Sequence, residues 1–385
     1  MSATQRLRST ALLAAASLAA ACHSGSKVPT PLPQTSLPTG AALKPFDPAA
    51  PTRPWPQASV QLGNQVWYAL GNLDAKFNPG GPGMLVGLVP STGALQAIDL
   101  GGADEHQCLN PGALRADSGK LYAGCSGSYA TGSGNGVAEV DPSGAGALKR
   151  FVPLLPGFAA SSIAFGPGKI WVGDFASASL VSVDRTTFAL VDGASKDHPP
   201  VALPCPAHDK VFPFVSAILA VGQDLFALCS SSEGYLVRLD ATTGAQKGDR
   251  VLVGVGPIAI ARAFSPTDDV RLAIANSVGG TLTLVTSTAS SMTAAKDALA
   301  FNGASDLEDV QARDQFVYVV NSGGKTVIKV DLSGAAPKVV DEVNVNPAGE
   351  ANSDPTRYEV LDDDTGVVCD NGLGRAVAVQ FGLKH

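Results

Sequence analysis

The chain has 385 residues, of which 16% are charged, and its formal net charge is −7. No segment concentrates lysine and arginine, which argues against the basic surface that nucleic-acid binding requires. Hydrophobic residues make up 45% of the chain, and glycine (42 residues) and proline (27 residues) are frequent, a composition typical of a large all-β protein with many turns.

The N-terminal segment has the features of an export signal. Two arginines precede an apolar run from Ala11 to Ala21 that is too short to span a bilayer, which predicts a secretory signal over residues 1–21. The run ends in LAAAC at Cys22 and resembles the signal of a bacterial lipoprotein, with alanine where leucine is usual three residues before the cysteine. Cleavage by an ordinary signal peptidase is the alternative. The resemblance implies lipidation of Cys22, and His23 after it implies the outer membrane or cell surface.

Residues 22–56 are rich in proline and small polar residues. This composition predicts an extended tether between the lipid anchor and a folded domain at residues 57–385.

A strand–turn–strand unit recurs through residues 57–385. In its clearest copy, Phe316–Gly334, two β-rich segments flank an Asn/Gly turn and predict a hairpin. One position of the hairpin recurs every 45–55 residues, at Trp67, Tyr122, Trp171, Phe226, Ala273, Tyr318 and Val368. Each interval has room for four short strands, and four-stranded units of this length are propeller blades. The sequence therefore predicts an all-β, seven-bladed β-propeller of four-stranded antiparallel blades.

The seventh unit is short. It ends after its third strand, Ala376–Phe381, so the last blade lacks a fourth strand unless another part of the chain supplies one. We predict that residues before Trp55, with Ala41–Phe46 as the candidate segment, close the ring. The alternative is a three-stranded last blade with a capped edge. Elsewhere, the composition of Met292–Ala300 would allow a turn or two of helix.

The hairpin Val317–Gly334, VYVVNSGGKTVIKVDLSG, resembles the YVTN-type surface propeller repeat and, more loosely, NHL-type blades. The resemblance is strongest over this hairpin and extends to blades 2 to 4. These motifs specify a blade and no chemistry. The resemblance implies a cell-surface or periplasmic propeller, a group in which many members carry no assigned activity.

Four cysteines test the predicted register. Cys125 and Cys229 end the second strands of blades 2 and 4, and Cys108 and Cys205 lie in the connections that lead into those blades. All four fall on the propeller face that carries the connections between blades, which we call the loop-rich face. The register predicts the disulfides Cys108–Cys125 and Cys205–Cys229 in an exported protein. The cysteine near the C-terminus is predicted to be a buried thiol.

The loop-rich face also carries the long loops, among them residues 72–83 and 193–213, and the first residues of the innermost strands around the channel mouth. Blades 3, 4 and 5 contribute small or apolar residues there, whereas blades 2, 6 and 7 contribute charged ones. The candidate ligand-binding residues are Glu105, His106, Asp306, Glu308, Arg357 and Glu359. Glu105, His106, Glu308 and Glu359 could hold a divalent cation such as Ca²⁺, or serve acid–base chemistry. The alternative is a hydrated acidic channel in which Arg357 pairs with Glu308 or Glu359.

These features predict an exported, lipid-anchored propeller that acts as a non-enzymatic binding scaffold. Its partners would be the membrane, through the anchor, and a protein or small molecule on the loop-rich face, with no nucleic acid. The alternative function is a metal-dependent hydrolase of the lactonase or lyase kind, because propellers with an acidic channel metal include such enzymes. Blades 3, 4 and 5 offer almost no ligands for that chemistry, and the fold alone does not decide between the two functions.

Overall fold

The computed structural model describes residues 33–50, 52–102, 106–128, 131–207, 212–267, 269–301 and 306–382. Within these ranges the regular elements are β-strands and one 3-10 helix, Gly40–Leu43. In chain order the strands are β1 (Gln34–Ser36), β2 (Arg53–Leu62), β3 (Gln65–Leu73), β4 (Met84–Val89), β5 (Ala94–Asp99), β6 (Pro111–Asp117), β7 (Lys120–Ser126), β8 (Asn135–Asp141), β9 (Ala147–Pro153), β10 (Ala160–Gly166), β11 (Lys169–Asp174), β12 (Ser179–Asp184), β13 (Val201–Ala202), β14 (Phe214–Val221), β15 (Asp224–Ser230), β16 (Gly234–Asp240), β17 (Val251–Gly254), β18 (Pro257–Ala263), β19 (Val270–Asn276), β20 (Thr281–Ser287), β21 (Met292–Ala300), β22 (Leu307–Arg313), β23 (Phe316–Asn321), β24 (Thr326–Asp331), β25 (Lys338–Asn344), β26 (Pro355–Val360), β27 (Thr365–Asp370) and β28 (Arg375–Gln380).

The strands pair into seven four-stranded antiparallel sheets. Blades 1 to 6 each use four consecutive strands, from β2–β5 to β22–β25, which we letter a to d from the inside outwards. Blade 7 uses β26, β27, β28 and β1. Each innermost strand contacts that of the next blade, and β26 contacts β2, so the ring is closed. The predicted seven-bladed propeller is confirmed.

An N-terminal strand completes blade 7, as predicted, but the closing segment is not Ala41–Phe46. Strand β1 pairs antiparallel with β28, with Gln34 opposite Val377. The segment predicted to close the ring instead contains the 3-10 helix, and its Leu43 is fully buried. Leu43 is the buried residue of that segment, and a short polar strand upstream carries the pairing.

We call residues 33–46 the N-terminal clasp, because they join blade 7 to blade 1. The amide of Leu37 donates to the carbonyl oxygen of Gly374 at 2.9 Å. Farther along, the amide of Phe46 donates to the carbonyl oxygen of Gly80 at 2.8 Å, in the b–c loop of blade 1. Arg53–Pro56 of β2 also lie within the stretch predicted as a tether. The signal sequence and Cys22 lie outside the described residues.

Burial follows the position of each strand in its blade. The b and c strands lie between two neighbouring blades, so side chains on both faces are enclosed, including Trp67, Trp171 and Tyr318 at the repeating position. The outer d strands face solvent on one side. Met292–Ala300, whose composition would allow helix, is such a strand, β21, and pairs with β20.

Both predicted disulfides are present. Cys108 and Cys125 have Cα atoms 5.4 Å apart, and the Cα atoms of Cys205 and Cys229 are 6.1 Å apart. Cys369 is a buried free thiol, as predicted. Two disulfides indicate a compartment outside the reducing cytoplasm. In the part of the chain that the structure describes, no helix has the length and apolar character needed to cross a bilayer.

A β-bulge interrupts the a strand of every blade at the same place, near the loop-rich face. The residues left without a partner in the register are Gln57, Gly112, Ser161, Ser216, Ile258, Glu308 and Thr356. A bulge bends the strand and redirects the side chains around it. The repeated bulge thus shapes the channel mouth, where Glu308 is the one charged bulge residue.

Candidate functional site

The channel is charged on one side of the ring and uncharged on the other. Blades 6, 7 and 2 place Asp309, Arg357, Glu359 and Arg115 on their a strands. The a strands of blades 3 and 4 carry no charged residue, and blade 5 has only Arg262, near the opposite face. The sequence predicted this asymmetry for blades 6 and 7. From blade 2, the residue that reaches the charged groups is Arg115.

Arg357 ties three blades together through main-chain oxygens. Its Nε donates to the carbonyl oxygen of Gln57 in blade 1 at 2.6 Å, and its Nη1 donates to the carbonyl oxygen of Glu308 in blade 6. The alternative of an acidic channel paired Arg357 with a carboxylate; these main-chain bonds are found instead, although the guanidinium charge still lowers the pKa of Glu308. A charge-assisted bond to each neighbouring blade stabilises this part of the ring.

Glu359 lies deeper in the channel and is held by the next blade. The hydroxyl of Ser59 in blade 1 donates to Glu359 Oε1 at 2.8 Å, and both residues are buried. Burial raises the pKa of Glu359 to about 7; the nearby Asp309 raises it further, whereas the Ser59 bond and Arg115 oppose the shift. Burial also lowers the pKa of Arg115, which lies within the field of Glu359, Asp309 and Arg357. The result is an enclosed mixed-charge cluster.

Glu308 belongs to a second group at the channel mouth, with Asp306 and Asp354, which we call the acidic cluster. Burial raises the pKa of Glu308 to about 7, and Arg357 opposes that shift. The charges of Asp306 and Asp354 add to it, as does the hydrogen bond that the protonated Glu308 carboxyl donates to Asp306. Asp306 has a left-handed backbone (φ 67°), a conformation that aspartate tolerates better than most residues. The cluster lies where blades 5, 6 and 7 meet on the loop-rich face.

The four metal-ligand candidates are placed differently. Glu308 and Glu359 occupy the mouth and the interior of the channel. His106 is exposed in the connection between blades 1 and 2, where its ring stacks on Phe46 of the N-terminal clasp at a centroid distance of 4.6 Å. Glu105 lies outside the described residues. Among the residues that are described, no three His, Cys, Asp or Glu side chains are arranged to hold a metal ion.

The loop-rich face carries most of the exposed apolar side chains. Six large apolar residues there are at least 37% exposed: Phe46, Phe77, Phe175, Phe212, Val255 and Val278. The other exposed ones in the described ranges are Leu95, Leu252, Val339 and Val340 on outer strands, and Phe264 on the opposite face. Sequence reasoning identified this face by its loops and did not identify these side chains.

Replacing Glu359 with glutamine should change how stability depends on pH. The carboxyl has a pKa of about 7 in the folded chain against an ordinary value of 4.5, so ionisation disfavours folding. The stabilisation that the neutral Glu359 carboxyl gives the folded chain is fully present below pH 4.5 and is lost as the pH rises towards 7. Glutamine cannot ionise and keeps the oxygen that accepts from Ser59. Between about pH 4 and pH 8 the unfolding free energy of Glu359→Gln should gain about 3 kcal/mol relative to the unmodified chain.

Urea unfolding at the two pH values measures this difference, with Glu342→Gln on an outer strand as the control for losing one carboxylate. Parallel pH profiles for Glu359→Gln and the unmodified chain would show that the buried carboxyl does not titrate as described.

Comparison with known proteins finds structures of similar fold and no match in sequence. No protein-family model and no curated protein matches the sequence. A 6-phosphogluconolactonase candidate from Bacteroides fragilis superimposes with a TM-score of 0.57 at 12% identity, over 80% of this chain and 88% of that one. Hydrazine synthase from Kuenenia stuttgartiensis gives a TM-score of 0.61 at 10% identity, over 86% and 97%. The WD40 domain of Neurospora crassa Pan2 gives 0.55 at 10% identity, over 88% and 91%. At these identities the likeness is one of fold, and the chain is similar in fold to proteins of quite different description.

Proposed function

We propose that the protein is an exported binding scaffold that presents its loop-rich face to a protein or ligand and is held at the bacterial surface by lipid on Cys22. The observation that carries the binding role is the concentration of exposed apolar side chains on that face. Six lie there, against Phe264 alone on the opposite face, within the described residues. Large exposed apolar side chains gathered on one face are characteristic of interaction surfaces.

The polar groups of the channel support the same proposal. The hydroxyl of Ser59 donates a hydrogen bond to Glu359, and Arg357 donates to main-chain oxygens of the two adjacent blades. These bonds use the charged side chains to join blades. The lactonase-like alternative would require carboxylates that converge on one central point, whereas Glu308 and Glu359 lie at different depths and His106 packs on Phe46.

Two disulfides across the loop-rich face support a role that depends on its shape. Each connects the loop before a blade to the b–c corner of that blade. Loops held on a rigid scaffold are a common way to build a binding surface. Cys205–Cys229 fixes the corner next to Phe212 and Phe214. Phe212 is one of the exposed apolar residues, and Phe214 packs against another, Phe175.

Serine at Phe175 and Phe212 should abolish partner binding without unfolding the protein, because both rings are exposed, at 49% and 82%. Affinity capture from the envelope of the source cells, followed by mass spectrometry, measures this. The control is Phe264→Ser, an exposed phenylalanine on the opposite face. Proteins captured by the unmodified chain and by the control should be missing from the double variant. Equal capture by all three chains would contradict the proposed function.

A further inference from the structure

The exposed apolar side chains of blades 3 to 5 lie along one part of the loop-rich face, on either side of the polar b–c corner of blade 4. We call Phe175, Phe212, Val255 and Val278 the apolar arc; they are 49%, 82%, 37% and 76% exposed. Phe175 comes from the b–c loop of blade 3, and Val278 from that of blade 5. Phe212 and Val255 come from the connections that lead into blades 4 and 5. The arc therefore follows the uncharged side of the channel mouth.

Contacts of adjoining residues place Phe175 near Phe212, and Val255 near Val278. The ring of Phe175 lies 4.5 Å from that of Phe214, two residues after Phe212. On the other side of blade 4, the amide of Gly279 donates to the carbonyl oxygen of Val255 at 3.2 Å, which places Val255 beside the turn that carries Val278.

The arc ends where the acidic cluster begins. Ser277, which precedes Val278, donates from its hydroxyl to Asp306 Oδ1 at 3.3 Å, and its carbonyl oxygen accepts from the amide of Asp306 at 3.2 Å. Asp354 continues the cluster into blade 7, where its Oδ1 accepts from the hydroxyl of Ser322 at 2.5 Å. An exposed valine thus stands next to a group of carboxyl side chains.

We propose that the loop-rich face binds a polypeptide segment in which apolar side chains adjoin lysine or arginine. This inference rests on the binding role proposed above and adds the chemistry of the partner. The apolar side chains of the segment would cover the arc, because that removes exposed phenylalanine and valine from water. Its basic residue would reach the acidic cluster, where complementary charge favours one orientation and rejects an acidic segment.

The protonation of Glu308 predicts that binding depends on pH. Its neighbours are Asp306, Asp354 and the guanidinium of Arg357, and its pKa is raised to about 7. A basic side chain arriving at the cluster favours the ionised carboxylate, so binding releases protons near neutrality. Affinity for a basic segment should therefore rise from about pH 6 to about pH 8.

Fluorescence anisotropy of the disulfide-bonded full chain with three labelled peptides tests the proposal. The first peptide is composed of leucine, phenylalanine and lysine; the other two replace lysine with glutamine or glutamate. The lysine peptide should bind at least about tenfold more tightly than the glutamate peptide, with the glutamine peptide between them. Val278→Asp should weaken the lysine peptide by about tenfold or more. Val340→Asp, at a valine of 45% exposure on the outer strand β25, should leave binding unchanged.

The double variant Asp306→Asn/Glu308→Gln tests the acidic cluster. It should bring the lysine and glutamine peptides to within about twofold of each other and remove the pH dependence. Asp314→Asn/Glu342→Gln removes the same charge away from this face and should keep the lysine preference. Equal binding of the lysine and glutamate peptides, no binding of any peptide, or equal effects of Val278→Asp and Val340→Asp would overturn the proposal. A glutamine peptide that binds best and is lost in Val278→Asp would overturn the basic partner while leaving the binding role intact.

Discussion

A chain that begins at Asp47 should be less stable than one that begins at Pro33 by at least about 5 kcal/mol. The removed residues include Leu37 and Leu43, which are 3% and 0% exposed, and burying each contributes about 1.5–3 kcal/mol. Loss of β1 also leaves β28 as an unpaired edge. Urea unfolding of the two chains measures the difference, and size-exclusion chromatography should show association of the shorter chain through that edge.

The chain that begins at Pro33 is the matched control, because it retains the contacts of the N-terminal clasp described above. A point variant separates the contribution of the buried Leu43 side chain from that of strand β1. Leu43→Ala should cost about 2–5 kcal/mol of unfolding free energy and leave β1 paired. Equal stability of the two truncated chains would show that the ring holds without the clasp.

Removal of both disulfides should lower the unfolding free energy by about 6 kcal/mol, about 3 kcal/mol for each pair. The cross-links close chain segments of 17 and 24 residues and restrict the unfolded chain. Alanine at Cys108 and Cys125, at Cys205 and Cys229, and at all four gives the series of variants. The two pairs lie in blades 2 and 4 and share no partner, so their effects should add. Urea unfolding under non-reducing conditions measures each.

Dithiothreitol provides the control for this series. It should destabilise the unmodified chain to the level of the four-alanine variant and leave that variant unchanged, because Cys369 forms no disulfide. Sensitivity of the four-alanine variant to dithiothreitol would indicate a different pairing of the cysteines.

The blade count and the disulfides could be predicted because both depend on one repeated register. An apolar residue such as Trp67 or Tyr318 recurs where a b strand must be buried between two blades. The same register places Cys125 and Cys229 at equivalent corners, opposite the loops that carry Cys108 and Cys205. Local periodicity and the ring geometry agree, and this agreement makes the prediction possible.

Two local assignments show where the pattern fails. The closing strand Gln34–Ser36 is three polar residues long and takes its stability from pairing with β28, so it has no periodicity of its own. The apolar segment Ala41–Phe46 resembled a strand, but only its Leu43 is buried, in a 3-10 helix. In β21, Met292–Ala300, pairing to β20 overrides a composition rich in helix-forming alanine.

The positions of the charged residues around the channel were predicted in part. Charged residues of blades 6 and 7 were expected at the channel, and Glu308, Arg357 and Glu359 are found there. Arg115 was missed because it lies inside a strand, at a place where Ala164 and Leu219 occupy the same register in other blades. Its partners come from blades 6 and 7, which are far away in the sequence, and no local pattern reports such a contact.

Photo-cross-linking in the source cells is the most direct test of the claim that the loop-rich face is the functional surface. A photoreactive phenylalanine analogue at Phe212 and, separately, at Phe264 compares exposed positions on the two faces. The analogue at Phe212 should give a defined cross-linked product that is lost in the Val278→Asp variant and kept in Val340→Asp. Cross-linking from Phe264 and not from Phe212 would contradict the account.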